Sequence, residues 1–161
     1  MAFCFAADRA LGTLAKWLRI LGYDTVYESD GSSKSFFENL EDDRILLTRT
    51  RKIRKKFVTH RTVSITSNFL VDQLKQVVDE IGINLSDTRP FSRCIKCNLS
   101  IAEVKKEKVY GQVPDYIWET HDTFNECSQC GRIYWPGTHL VQSMERIEQL
   151  FSCVPPIHEK S

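Results

Sequence analysis

Four cysteines in two pairs are the residues whose spacing most clearly predicts chemistry in this chain. Cys94 and Cys97 form the first pair, and Cys127 and Cys130 form the second. Each Cys-x-x-Cys turn directs two sulfur atoms towards one point, and two such turns typically make a tetrahedral Zn²⁺ site. Because four thiolates leave no open coordination position, we expect one structural zinc ion that stabilises the fold and takes no part in catalysis.

Other interpretations of the cysteine pairs are weaker. Residues 98–126 separate the pairs, which exceeds the roughly 15–20 residues of the commonest zinc spacing, so we expect an extra hairpin between them. Disulfide bonds would require an oxidising compartment, to which nothing in the sequence points. A thioredoxin-like redox site would need a single Cys-x-x-Cys motif that opens a helix after a strand. Structural zinc is therefore the preferred interpretation.

Asp8 is the first candidate for a catalytic residue. It directly follows residues 3–7, an apolar run that suits a buried strand. Carboxylates that cluster at strand ends bind Mg²⁺ or Mn²⁺, which activates water and stabilises the charge of an attacked phosphodiester. Asp30 and Asp72 are placed to converge with Asp8 if the strands are parallel. The alternative is that Asp8 only caps the following helix, and that Asp30 and Asp72 are loop or surface carboxylates.

A cluster of positive charge follows the third predicted strand. Six of the eight residues 49–56 are basic and none is acidic: Arg49, Arg51, Lys52, Arg54, Lys55 and Lys56. Such a run is usually a solvated helix face, but mutually repelling charges favour an anionic partner. RNA or DNA phosphate is the simplest such partner. This basic segment, residues 49–56, lies at the same end of the predicted sheet as Asp8, so both could contact one substrate.

The elements that must position these residues alternate between strand and helix. Alternation of this kind favours a parallel sheet that is covered by helices on both faces and binds its ligand at the carboxyl ends of the strands. Residues 1–89 therefore form a predicted α/β domain. The predicted strands are at residues 3–7, 24–27, 44–48 and 63–66, and the predicted helices begin at Asp8, at Ser32 or Ser33, and at Ser67 or Asn68.

The second half of the chain is predicted to be a small zinc ribbon with a C-terminal helix. Residues 90–161 contain the four cysteines, and apolar residues recur at helical spacing over 139–151. Three short apolar pieces of this half are predicted ribbon strands: residues 99–104, 116–118 and 133–135.

Composition and charge restrict the class of protein. The chain has 161 residues and a net charge of +1, so overall charge gives no argument for a nucleic-acid partner and only the basic segment does. No apolar run approaches the roughly 20 residues of a membrane span. The first residues lack the basic region and long apolar core of a signal peptide. We therefore expect a cytoplasmic protein without a membrane partner.

Several long motifs resemble one known family. Residues 8–24 read DRALGTLAKWLRILGYD, residues 44–49 read RILLTR, residues 94–98 read CIKCN, and residues 127–139 read CSQCGRIYWPGTH. In this order they resemble the Mut-seven C-terminal RNase domain family, which are PIN-like proteins with a C-terminal zinc ribbon. The resemblance covers nearly the whole chain.

The resemblance implies a PIN-like α/β fold and metal-dependent cleavage of RNA, with Asp8 as the principal ligand of Mg²⁺ or Mn²⁺. Asp30 and Asp72 are the candidates for its supporting ligands. The chain departs from the family pattern at Thr50, where the family usually has Asp, and at residues 33–35, where it usually has acidic residues. Each missing carboxylate removes a negative charge from a site that must hold a cation.

Two functions of different classes follow. The first is a PIN-like ribonuclease with an incomplete acidic site, whose basic segment binds the RNA backbone. The second is a catalytically weak or inactive module that binds RNA or a protein, which Thr50 favours. A ribonucleoprotein surface is a further candidate partner for the basic segment. Because PIN-like domains often dimerise, a homodimer is a further expectation.

Overall fold

Four parallel strands form the central sheet of this computed structural model, which describes residues 3–29, 36–40 and 43–152. The strands are β1 (Cys4–Ala7), β2 (Asp24–Tyr27), β3 (Ile45–Thr48) and β4 (Thr62–Ser64). They lie in the order β2-β1-β3-β4, and every neighbouring pair is parallel. All residues of β3 are buried, as expected of an inner strand in a sheet that is covered on both faces. The parallel sheet predicted from the sequence is confirmed.

One face of the sheet carries the main apolar core. The sequence predicts one helix from Asp8, but the chain first makes a 3₁₀ turn, Arg9–Leu11, and then α1, Gly12–Ile20. Helices α3 (Leu70–Ile81) and α5 (Thr138–Ser152) pack on the same face. The buried side chains that α1, α3 and α5 contribute recur at helical spacing: Leu14, Leu18, Leu74, Val77, Met144 and Ile147.

Every helix in the described ranges is too short or too polar to cross a membrane.

A smaller apolar cluster covers the opposite face of the sheet. It includes the buried side chains of Ala6, Phe37 and Leu46, against which Ile53 packs. Helix α2, Arg51–Lys56, contributes Ile53 and turns its basic residues outward. Both faces of the sheet are therefore covered, as the sequence predicts.

A 3₁₀ turn, Phe36–Asn39, contributes Phe37 to this cluster. The sequence predicts a short helix that begins at Ser32 or Ser33, and both serines lie outside the described residues. A single turn satisfies the packing in the described part, because Phe36 and Phe37 are the side chains that it places against the sheet.

The second half of the chain contains a separate antiparallel sheet. Its strands are β5 (Ala102–Val104), β6 (Phe124–Glu126) and β7 (Ile133–Tyr134), in the order β5-β6-β7. A 3₁₀ turn, Lys106–Val109, and helix α4, Asp115–Thr120, lie between β5 and β6. The small core of this half consists of Val109, Val113, Ile117 and Phe124.

Helix α4 overturns one prediction for the ribbon. Residues 116–118 are helical, so the predicted strand there is wrong. The hairpin predicted between the cysteine pairs is present as the antiparallel pair β5–β6, with α4 in its connection. Ile117 is the buried residue of α4 and faces the ribbon core, which Val113 joins from just before the helix. Pro114 precedes the helix, where its fixed backbone and missing N–H cost nothing. The sequence does not reveal β6, because Phe124 is its one buried residue.

The first cysteine turn packs against the edge of the parallel sheet at β2. Arg19 Nη1 donates a 2.7 Å hydrogen bond to the carbonyl oxygen of Ile95. The backbone N–H of Thr25 donates to Asn98 Oδ1 at 3.0 Å, and Asn98 Nδ2 donates to Asp24 Oδ1 at 2.7 Å. Because β2 is an edge strand, Asn98 satisfies a backbone donor that has no strand partner.

The segment that follows α3 passes close to the end of α1, where Arg89 approaches Gly22. This glycine has a φ of +95°, and a Cβ atom there would lie 2.4 Å from the carbonyl oxygen of Arg89. Only glycine fits such a conformation and approach. From this point the chain continues into the ribbon, and α5 later returns to the core of the first half. The predicted domain boundary between residues 89 and 90 stays a prediction.

Candidate functional site

Asp8 lies at the carboxyl edge of the parallel sheet and is 3% exposed. Its Oδ2 accepts hydrogen bonds from the hydroxyl of Thr48 at 2.6 Å and from the backbone N–H of Arg49 at 2.8 Å. Its Oδ1 accepts from the backbone N–H of Ala10 at 3.0 Å, which caps the turn after β1. The carboxylate therefore joins the end of β1 to the end of β3.

These contacts use most of the acceptor capacity of Asp8. An ionised carboxylate offers about four lone-pair sites, and three protein donors occupy Oδ1 and Oδ2. One site remains, on Oδ1. The capping role expected as the alternative for Asp8 is thus present in the structure, and it leaves room for a single contact with a cation.

Glu28 is a carboxylate that contacts Ala7 and Arg9, the two residues that flank Asp8, and sequence reasoning missed it. It directly follows β2, and its backbone N–H donates to the carbonyl oxygen of Ala7 at 3.0 Å. Its side chain is 15% exposed, with Oε1 lying 3.8 Å from Arg9 Nη2, and Oε2 accepts from the backbone N–H of Arg9 at 3.3 Å. The available signal was its position, since Glu28 follows its strand as Asp8 follows β1.

Asp72 is the predicted supporting carboxylate that the structure describes, and its hydrogen-bond partner is Ser67. Asp72 lies in the first turn of α3, is exposed, and accepts a 2.9 Å hydrogen bond from the hydroxyl of Ser67. Asp30 lies outside the described residues. Within the described ranges, the four cysteines are the one set of three or more His, Cys, Asp or Glu residues close enough to share a metal ion. Convergence of Asp30 and Asp72 with Asp8 stays a prediction.

Thr50 places a neutral side chain next to this edge. Its backbone N–H donates to the Thr48 hydroxyl oxygen at 2.9 Å, and the same hydroxyl donates to Asp8. The Thr50 side chain makes no capping hydrogen bond to α2, and the residue is exposed. No negative charge is therefore supplied at this position.

The basic segment forms an exposed positive surface that begins at Asp8. Arg49, Arg51, Lys52, Arg54, Lys55 and Lys56 are all exposed. Lys56 forms an ion pair with Glu38. No carboxylate of the described residues pairs with the other five basic side chains. Because the Arg49 N–H donates directly to Asp8, the unneutralised charge starts at the carboxyl edge of the sheet.

The four cysteines lie together, as their spacing predicts. Their Sγ atoms all lie within 4.8 Å of one another, so they could hold one zinc ion. Burial acts to raise the pKa of the Cys94 thiol, but hydrogen bonds from the hydroxyl of Tyr134 and the backbone N–H of Cys97 outweigh it and lower the pKa to about 6. Zn²⁺ binds the thiolate form of cysteine, and the lowered pKa favours that form at Cys94, whereas burial and contacts with the other cysteines raise the pKa of Cys97 to about 12.

Residues 4–147 match the family model described as the Mut7-C RNAse domain. The chain belongs to the Mut7-C RNAse domain family. The matched region includes the parallel sheet, the basic segment and all four cysteines, so family membership agrees with the fold and with the resemblance of the motifs. A Mut7-C RNAse domain is a ribonuclease-like domain. No curated protein and no solved structure matches the chain.

Proposed function

We propose that this Mut7-C RNAse domain acts on RNA as a metal-dependent ribonuclease with an incomplete acidic site. The observation that carries the proposal is the hydrogen bond between the Arg49 N–H and Asp8 Oδ2, 2.8 Å long. It joins the first residue of the basic segment to the buried carboxylate. A phosphodiester held by the segment would therefore lie beside Asp8, at the edge where open parallel sheets bind their ligands.

The basic segment is the proposed RNA-binding surface. Five of its six basic side chains have no carboxylate partner in the described ranges, so binding of a phosphate chain would not first have to break an ion pair. Positive side chains on a nucleic acid displace condensed counterions, which gives an affinity that falls steeply with salt. Lys56 is expected to contribute least, because Glu38 already pairs with it.

The divalent cation, Mg²⁺ or Mn²⁺, fits the described residues only in part. Asp8 would be the principal ligand through its one remaining lone pair on Oδ1, with Asp30 and Asp72 proposed as supports. The cation, when bound, would activate water and stabilise the charge on the attacked phosphodiester. Because Thr50 supplies no charge and Arg9 engages Glu28, we expect the cation to be held weakly.

Thr48 and Arg49 are proposed to orient the carboxylate for this contact. Their two hydrogen bonds hold Oδ2 towards β3, which leaves Oδ1 as the atom with free acceptor capacity. The protein itself thus fixes the position of the charge before any ligand arrives. Fixed charges of this kind need no reorganisation when the reaction begins.

A second candidate is an RNA-binding module that no longer cleaves. Thr50 and the three protein donors on Asp8 favour it, because both reduce what a cation can bind. RNA is the proposed partner in either case. A protein or ribonucleoprotein partner, a homodimer and a cytoplasmic location remain predictions made from the sequence.

Binding of Mn²⁺ separates the two candidates. Calorimetric titration of the zinc-loaded protein should detect weak binding that Asp8→Asn abolishes, while Asp79→Asn, which alters an exposed carboxylate of α3 paired with Lys75, leaves it unchanged. Undetectable binding at millimolar Mn²⁺ would contradict the ribonuclease and leave the RNA-binding module.

A further inference from the structure

Phe69 is an exposed aromatic residue at the carboxyl edge of the parallel sheet. It is 73% exposed, whereas the next residue, Leu70, packs against the main core. Helix α3 follows Phe69 directly and begins at this edge. The backbone N–H of Ile65 donates to the carbonyl oxygen of Thr48 at 2.8 Å, so the chain that leads to Phe69 leaves β4 beside the end of β3. Asp8 and the basic segment lie at the same edge.

Neither packing nor helix capping explains a phenylalanine at this position. Phe69 is the N-cap residue of α3, where Ser, Thr, Asp and Asn are preferred, and its side chain makes no capping hydrogen bond. An exposed ring adds little to folding, because hydrophobic stabilisation scales with the apolar area removed from water. A ligand that covered the ring would remove that area.

The backbone around Phe69 is held firmly. Its N–H donates to Ser67 Oγ at 3.1 Å, and its carbonyl oxygen accepts from the backbone N–H of Gln73 at 3.0 Å. The Ser67 hydroxyl donates to Asp72 at 2.9 Å, and the buried Gln73 side chain donates to the Ser67 carbonyl oxygen at 3.0 Å. The ring is therefore presented on an ordered turn, which lowers the entropy lost when a ligand binds.

We propose that Phe69 stacks on a base of single-stranded RNA whose phosphates contact the basic segment. The inference rests on the proposed function in RNA binding and names the form of RNA. Proteins that bind single strands without sequence preference combine positive side chains along the backbone with aromatic rings on which bases stack. The bases of a duplex already stack on one another, so the Phe69 ring selects single-stranded RNA.

The test compares the affinities of a fluorescein-labelled oligouridine and of an RNA duplex of equal length, measured by fluorescence anisotropy. Phe69→Ala should weaken binding of the single strand by about 5- to 150-fold and leave duplex binding unchanged. Phe69→Trp should bind the single strand at least as tightly as the wild type. Tyr110→Ala is the matched control, because Tyr110 is 69% exposed but lies in the ribbon, and it should bind as the wild type does.

Salt dependence keeps this inference separate from the proposed function. Phe69→Ala should retain the wild-type slope of log affinity against log salt, because stacking releases no counterions. Wild-type protein that binds neither RNA would overturn the proposed function and the stacking role together. RNA binding that depends on the basic segment but is unaffected by Phe69→Ala, or is weakened equally for strand and duplex, would overturn the stacking role alone.

Discussion

The hydroxyl of Thr48 donates a 2.6 Å hydrogen bond to Oδ2 of Asp8, and both side chains are buried. The contact crosses from β1 to β3 and spans 40 residues of sequence. Asp8 is therefore part of the architecture of the sheet edge as well as the proposed centre of the site. Any substitution of Asp8 must be judged for stability before it is judged for activity.

Thr48→Val should destabilise the protein by about 1–3 kcal/mol, because it leaves a buried carboxylate short of one donor. The measurement is the free energy of unfolding in urea at neutral pH. Thr48→Ser is the matched control, since it keeps the hydroxyl and loses one methyl group, at a cost of about 0.8 kcal/mol. Equal stability of Thr48→Val and the wild type would show that the contact adds nothing to the fold.

Cys94→Ser and Cys127→Ser should each release zinc and lower the thermal midpoint, because ligand loss and unfolding of the ribbon are linked. Zinc content by mass spectrometry and the midpoint by circular dichroism check both effects. Cys4→Ser is the control, since Cys4 lies in β1 and should keep one zinc per chain. A Cys94→Ser protein with full zinc and an unchanged midpoint would show that the four-cysteine site is wrongly assigned.

Asp24 should make the stability of the protein fall at acid pH. Burial alone would raise the pKa of Asp24, but hydrogen bonds from Arg44 and Asn98 outweigh it and lower the pKa below its ordinary 3.8. The lowered pKa means that this stabilisation is fully present above pH 3.8 and is lost as the pH falls through the folded-state pKa. The change is visible in urea unfolding curves recorded across this range.

Asp24→Asn tests this pH dependence directly. At neutral pH it should cost about 1.5–3 kcal/mol, the usual contribution of a hydrogen bond to a charged group, and the difference from the wild type should shrink in acid. Asp79→Asn, which removes an exposed helix pair with Lys75, should cost only a few tenths of a kcal/mol. A constant difference between Asp24→Asn and the wild type at all pH values would contradict the lowered pKa.

Replacing Arg51, Lys52 and Lys55 with Ala should reduce the salt slope of single-stranded RNA binding by about 2, since each lost phosphate contact removes about 0.7. The slope comes from anisotropy titrations at several salt concentrations. Ala at Lys75, Lys105 and Lys108 removes the same charge elsewhere and should leave the slope near the wild-type value. Equal salt slopes for the two triple variants would show that RNA binds at another surface than the basic segment.

Local patterns predict the parallel sheet and the metal cluster well. The apolar run at residues 45–47 suits a strand that is buried on both faces of the sheet. The two cysteine turns carry their geometry in their spacing. Residues 116–118 mislead for the same local reason: three apolar side chains suit a strand, but Ile117 packs into the ribbon core from helix α4.

The candidate site was less predictable, because its contacts join segments that are distant in the chain. Nothing near Asp8 in the sequence indicates that Thr48 and Arg49 occupy its Oδ2. Glu28 follows β2 as Asp8 follows β1, but the sequence does not show that β2 lies beside β1. Phe69 shows the same limit, since it begins the apolar run FLV at residues 69–71, and the sequence does not tell which of these side chains is exposed.

The most direct test of the proposed function is cleavage of a mixed-sequence single-stranded RNA in Mn²⁺. The wild type should be compared with Asp8→Asn and Asp30→Asn, after zinc content and unfolding midpoint have shown that each is folded. We predict slow cleavage by the wild type that requires Mn²⁺ and that folded Asp8→Asn lacks. No cleavage by the wild type, with RNA binding retained, would contradict the ribonuclease and leave an RNA-binding module.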